Sequence, residues 1–171
     1  MTFNDIRRPC AVVLGASTGV GADIVRKLIQ NGYKVVGFHR GNHQEDADLL
    51  VEEHGSALQL MCMNAGASQE DVLKCVSMLP CVASVLVHSL SGAAVGSVLQ
   101  TSEKQITQTF NNLAHSFLWW AQTLAACGYL APEAKLIALS NPCPDFYLRN
   151  TGVIGAAKAA LETYVKLLAV E

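Results

Sequence analysis

The chain carries no run of like charge, no low-complexity tract and no internal repeat. Its 14 acidic and 12 basic residues nearly balance, for a net charge of −2 and a pI near 6.2. Such a balance argues against nucleic acid or an anionic membrane as the main partner, because either requires a basic surface. Its six cysteines (Cys10, Cys62, Cys75, Cys81, Cys127, Cys143) form no C-x-x-C and no metal-like Cys/His spacing, so no metal site is expected. Mostly apolar neighbours predict buried thiols in a reducing cytosol. The opening M-T-F-N-D-I-R-R-P has no apolar stretch of the secretory kind, which sets the expectation of a cytoplasmic protein. The segment Leu113 to Leu130 is apolar, but His115, Ser116, Gln122 and Thr123 interrupt it. It reads as a long helix buried against a sheet and a partner subunit, not as a membrane span.

What the chain does have is apolar residues: 51% of the 171, with a mean hydropathy of +0.29. Strands buried on both faces, as in a doubly wound parallel sheet, account for this. The length fits a single domain, residues 1–171, with a real core. Strand and helix signals alternate. Strands are predicted at Ala11–Leu14, Lys34–Phe38, Ala57–Met61, Ala83–His88 and Lys135–Leu139. Helices are predicted at Gly19–Gln30, Gln44–His54, Ser68–Leu79, Ser102 to about Cys127, and from Thr151 onward. The expected fold is α/β: a Rossmann-type doubly wound parallel sheet of about five strands with right-handed crossovers. In such a sheet ligands bind outside the carboxyl ends of the strands, at the switch point between the first and fourth. Functional residues should therefore gather near Gly15, Phe38, Met63, Ser89 and Ser140.

The most informative stretch is C-A-V-V-L-G-A-S-T-G-V-G, Cys10 to Gly21. A buried strand ends, the chain turns at Gly15, and an amphipathic helix opens near Gly19 with Ile24, Val25, Leu28 and Ile29 on its apolar face. Unpaired backbone N–H groups and the positive end of the helix dipole favour a phosphate there. Glycine lets the backbone approach the ligand without a Cβ in the way. An ordinary tight turn between strand and helix is the plainer alternative.

The glycine spacing is G-x-x-x-G-x-G, through Gly15, Gly19 and Gly21. It resembles the short-chain dehydrogenase/reductase family, and the resemblance runs over the whole chain. It implies cofactor contacts from Gly15, Ser17, Thr18, Gly19, Val20 and Gly21, with the two hydroxyls on adenosine phosphate oxygens. The second strand ends G-F-H-R, with no acid at Gly37, Phe38 or His39 to hold the ribose hydroxyl of NAD. Arg40 offers a guanidinium fork to a 2′-phosphate, and with His39 beside it the expected cofactor is NADP(H). Asn64-Ala65 falls where the family meets the adenine ring. His88-Ser89-Leu90, in L-V-H-S-L-S-G-A-A-V-G, is similar to the NADPH-dependent enoyl-acyl-carrier-protein reductases, as is Y-L-R-N-T-G-V-I-G-A-A-K-A-A-L-E, Tyr147 to Glu162. In that branch His88 helps shape the cofactor site.

Two departures follow. Lys158 is present, and the family role it keeps is to hold the nicotinamide ribose. Seven residues earlier, where enoyl reductases carry the catalytic tyrosine, lies Thr151; four earlier, its place in other members, lies Ile154. The strand-end position that carries Ser or Tyr is Asn141. Threonine can hydrogen-bond a carbonyl but is a poor general acid. The candidate catalytic set is therefore Lys158, Thr151, Tyr147 and Asn141, with Thr151 or Tyr147 steadying the substrate oxygen.

The second departure is that the sequence stops at Glu171, before the sixth strand, substrate loop and seventh strand of the family. That predicts either a shortened chain or a domain dependent on self-association, with an open edge at the fifth strand. The two long helices form the dimer interface in the family, so a homodimer or tetramer is expected, with Phe117, Trp119, Trp120 and Tyr164 as aromatic anchors. The implied function is NADPH-dependent reduction of a small-molecule enoyl or keto thioester, of the kind met in fatty acid metabolism. The alternative is a catalytically impaired nucleotide-binding or interaction protein that retains the fold.

Overall fold

The computed structural model describes residues 8–146 and 148–171. Its elements are β1 (Cys10–Leu14), α1 (Gly19–Gln30), β2 (Lys34–His39), α2 (Gln44–His54), β3 (Leu58–Cys62), α3 (Gln69–Ser77), β4 (Ala83–His88), α4 (Glu103–Phe110), α5 (Ser116–Ala126), β5 (Leu130–Ala138) and α6 (Gly152–Leu168). The five strands form one parallel sheet in the order β3-β2-β1-β4-β5. The order reverses between β1 and β4, so the crevice predicted at that switch point exists.

The apolar strands explain the layering. Successive side chains of a strand point to opposite faces. Val12 and Leu14 of β1, Val36 and Phe38 of β2 and Leu86 of β4 face a core completed by Val72, Val76, Phe117, Trp120 and Leu161 from α3, α5 and α6. Ala11, Val13, Val35, Val85 and Val87 face the other side and meet Ala22 and Val25 of α1 and Leu50 of α2. Trp120 is fully buried, stacks obliquely on Phe38 at 5.1 Å between ring centroids, and donates its indole N–H to Ala65 O at 2.7 Å.

Helix starts follow local chemistry. Ser68 caps α3, accepting the Asp71 N–H at 3.1 Å, and Ser102 forms a reciprocal capping box with Gln105 at the head of α4. α4 and α5 are one continuous rod, as the sequence predicts for Ser102 to about Cys127. A wider π turn over Asn111–His115 joins them. There the Ser116 hydroxyl donates to Asn112 O at 3.1 Å. No helix among the described residues is long and apolar enough to cross a membrane.

Three expectations need correction. β5 runs Leu130–Ala138, not Lys135–Leu139, because Ala83 pairs with Leu130 before a bulge and Val85 with Lys135 after it. Pro132 and Glu133 (φ +60°) sit inside the irregularity, where the sequence reads as loop. The cysteines are not uniformly buried thiols: Cys10 is joined to Cys81, and Cys62 and Cys127 are exposed. Finally, Phe117 and Trp120 are spent in the core, with no exposed surface, so neither serves as an interface anchor. Trp119 and Tyr164 stay half-buried; the Tyr164 hydroxyl lies 3.1 Å from His115 Nδ1.

Candidate active site

β1 ends at Leu14, and Gly15 turns the chain at φ +80°. The turn is pinned to β2, since Gly15 N–H and Ala16 N–H both donate to Phe38 O, at 2.9 and 3.0 Å. A Cβ on Gly15 would stand 2.5 Å from Ser89 O, and one on Gly21 would stand 1.8 Å from Gly15 O. Both glycines are thus required by close backbone approach. Thr18 is the N-cap of α1, yet its side chain makes no capping hydrogen bond, and the first turn holds no acidic residue. That leaves the N-terminal amides of α1 and the hydroxyl of Thr18 for an anion.

These groups open onto a cavity of about 520 Å³ at the carboxyl ends of the strands. It brings together Gly15, Ser17, Thr18, Gly19, Val20 and Gly21 from the loop, His39 and Arg40 from the end of β2, Ala65 after β3, Ser89 and Leu90 after β4, Asn141 after β5, and Lys158 of α6. Three sequence candidates stand elsewhere. Asn64 lines an adjoining cleft of about 470 Å³ that shares Arg40. Thr151 is outside the cavity lining, and its hydroxyl donates to Leu148 O at 2.9 Å. His88 is wholly buried beneath the floor, its Nε2 2.7 Å from Ser116 Oγ. Tyr147 lies outside the described residues.

The cavity adds residues outside the candidate set, of which the sequence already marks Ser140 as a strand end and Ile154 as the place of the family tyrosine. Asn42 and His43 follow Arg40; Ser91, Gly92 and Ala93 follow Leu90; Leu113 of the π turn, Leu139, Ser140 and Ile154 close the far wall. Gly92 had a signal, a glycine four residues past a strand end. At φ +103° it leaves room for the Arg40 guanidinium, which a Cβ would meet at 2.9 Å. Arg40 also donates to Ser91 O at 3.3 Å, so the arginine is steered across the mouth between two loops.

Electrostatically the floor avoids charge. Burial, and then the nearby Lys158 cation, push the His88 pKa down to about 3, so the ring is neutral. His39 is nearly buried and also shifted down, by burial against a weaker pull from Asp48; its Nδ1 accepts the Gly41 N–H at 3.3 Å. Lys158 is 6% exposed and donates to Leu139 O at 2.6 Å. Burial lowers its pKa, with Glu162 acting the other way. Ile154 precedes Lys158 by one helical turn and shares its face, so an alkyl group, not a phenol, stands next to the amine. The Ser140 hydroxyl donates to Glu162 Oε1 at 2.5 Å, and Asn141 Oδ1 accepts the Cys143 N–H at 3.1 Å. No cluster of metal-ligating side chains occurs among the described residues.

With this geometry in view, likeness to known proteins is informative. Residues 15–171 match the family described as enoyl-(acyl carrier protein) reductase. The chain is 27% identical over 173 residues to a probable short-chain type dehydrogenase/reductase, VdlC, of Helicobacter pylori, covering 94% of this chain and 58% of that protein. It is 27% identical over 165 residues to L-xylulose reductase of Bos taurus, covering 94% and 64%. The chain therefore spans about three fifths of these relatives' length. A solved short-chain dehydrogenase of Burkholderia cenocepacia in complex with NADP superposes with a TM-score of 0.84 at 21% identity, covering 94% of this chain and 67% of that one.

Proposed function

The chain belongs to the short-chain dehydrogenase/reductase family, and on that premise we propose that it binds NADPH in the cavity and reduces an enoyl or keto thioester. The observation that carries this reading is the convergence of the glycine loop, Arg40 and Lys158 on one cavity. The residues present fit a dinucleotide. Gly15 and Gly21 let the loop fold closely against neighbouring backbone, and the head of α1 offers amides without a side-chain cap to a pyrophosphate. Arg40, with Asn42 and His43 beside it and no carboxylate among the described residues that line the cavity, suits a 2′-phosphate. The Burkholderia neighbour is an NADP complex, and the reading carries that ligand here.

When bound, the nicotinamide supplies hydride. Lys158 holds the ribose hydroxyls, and the Asn141 amide N–H groups offer hydrogen bonds to the substrate oxygen from the β5 end. Asn64 contributes to the adenine end through the adjoining cleft, while His88 supports the floor from beneath. Tyr147 is the remaining candidate for the proton, and Thr151 for a hydrogen bond to the substrate oxygen. Self-association would run through the α4–α5 rod and α6, with Trp119 and Tyr164 on its surface, in a cytoplasmic setting.

A second reading is favoured by one specific observation: Ile154 lines the cavity and Thr151 does not. On this reading the protein keeps the cofactor cradle without the proton donor and acts by binding. Fluorescence titration with NADPH, followed by NADPH oxidation with crotonyl thioester, separates the two. Turnover supports the reductase; binding without turnover supports the impaired relative; absence of binding overturns both. Arg40→Ala is expected to weaken NADPH by about tenfold or more and NADH little, as loss of a charge-assisted pair implies. Equal losses for the two cofactors would defeat the 2′-phosphate assignment.

A further inference from the structure

Cys10 and Cys81 lie 71 residues apart in the chain and are joined in the fold. Their Cα atoms stand 6.4 Å apart, within the span that a disulfide bridges without backbone movement. Strand pairing sets that distance. Cys10 opens β1 and pairs with Lys34 on one side and Ala83 on the other, and Cys81 precedes Ala83 by two residues. The register between β1 and β4 breaks just after Cys10, where Ala11 pairs with Val85, and the Ser84 hydroxyl spans the break by donating to Cys10 O at 2.9 Å. Both cysteines belong to the amino ends of the strands, while the cavity lies at the carboxyl ends. They differ in access: Cys10 is 4% exposed and Cys81 half-buried. A third thiol of the same core, Cys75, is wholly buried. Burial, and then Asp71, push its pKa up to about 11, so it stays protonated and does not compete. The segment enclosed by the bond, residues 10–81, holds the glycine loop and Arg40.

We propose that Cys10 and Cys81 are a reversible thiol–disulfide switch, closed by a small-molecule disulfide of the glutathione class, that sets how firmly the fold around the cavity holds. In closing, the accessible Cys81 thiolate attacks one sulfur of the small disulfide. An S–S bond forms to Cys81 and the other half leaves as a thiolate. Cys10, once deprotonated, attacks Cys81 Sγ, and the second half leaves in turn. The two cysteines lose two electrons, the small disulfide is reduced to two thiols, and the cysteine protons pass to those thiols through solvent. Excess small thiol reverses both steps, entering again at Cys81 because Cys10 is covered. In a reducing compartment the bond forms only when the thiol pool becomes oxidised. The closed bond restricts the unfolded chain over its 71-residue span. It therefore acts on stability and leaves the shape of the cavity, about 13 Å away along four strand steps, unaltered.

The test equilibrates the full chain with oxidised or reduced glutathione and follows thermal unfolding by circular dichroism. The oxidised chain is expected to unfold about 5–15 °C above the reduced one. Cys81→Ser should unfold with the reduced chain and show no dependence on the glutathione state. Equal midpoints in the two states, or a difference that survives in Cys81→Ser, overturn the proposal. Joint replacement Cys62→Ser and Cys127→Ser, which removes the two exposed thiols, should keep the full difference; its loss assigns the effect to those thiols and overturns the proposal. Peptide mass spectrometry reads the chemistry directly. The oxidised chain should yield Cys10 linked to Cys81, and another partner for Cys81 counts against the pair. With oxidised glutathione, Cys10→Ala should carry one glutathione on Cys81, and Cys81→Ser none on Cys10; glutathione on Cys10 overturns entry at Cys81. None of these readouts involves NADPH, so failure of the cofactor reading leaves them standing.

Discussion

Gly21 shows how tightly single residues are constrained at this site. A methyl group there would fall 1.8 Å from a backbone oxygen, which no side-chain movement relieves. Gly21→Ala should cost about 2 kcal/mol or more through backbone displacement, read as a lower unfolding midpoint in urea. His88 makes a different prediction. Its folded pKa lies below its unfolded value of 6.5, so the ring stays neutral in the fold while the unfolded chain takes up a proton. Stability is therefore fully present above about pH 6.5 and is lost as the pH falls toward 3. The slope is about 1.4 kcal/mol per pH unit, hence about 2 kcal/mol between pH 6.5 and 5. Urea unfolding of the native chain and of His88→Gln at pH 7.5 and pH 5 measures it. The native protein should lose about that much more than the variant, and equal losses would remove His88 as the cause.

At the scale of elements, caps and glycines were legible because their chemistry is local. Ser102 with Gln105 closes its box within four residues, and Ser68 caps α3 in the same way. Ser102→Ala is expected to destabilise the fold by about 1 kcal/mol, measured by thermal unfolding. Elements shaped by distant partners were not legible. The first half of β5 forms because Ala83 is there to pair with Leu130, a contact between residues far apart in the chain. Phe117 and Trp120 carry the same apolar signal as interface residues. Only the position of α5 over Phe38 and Leu86 decides that they fill the core. The pairing of Cys10 with Cys81 likewise depends on β1 lying beside β4.

For the molecule as a whole, a ligand that binds only the folded state stabilises it by mass action. NADPH at about 100 times its Kd should add about 2.7 kcal/mol, a rise of about 5–10 °C in Tm for a chain of this size. Scanning fluorimetry with NADPH and NADH tests this, and no shift at saturating NADPH would contradict the cofactor reading.

The sequence by itself determined the strand–turn–helix at Gly15 to Gly21, the alternation of strands and helices, and the presence of Arg40 and Lys158. Each of these is set by neighbours a few residues away: backbone sterics, apolar periodicity, and the chemistry of a side chain at a strand end. What the tertiary structure decided is which of these meet. Ser91, 51 residues after Arg40, and Gly92 beside it settle where its guanidinium lies. Ile154 and Lys158 face the cavity together because α6 packs on the sheet, while Thr151, at the start of the same helix, turns its hydroxyl to Leu148. The cradle was legible because it is built from consecutive residues. The far wall was not, because the π turn, the loop after β5 and α6 assemble it, and only packing fixes their distances.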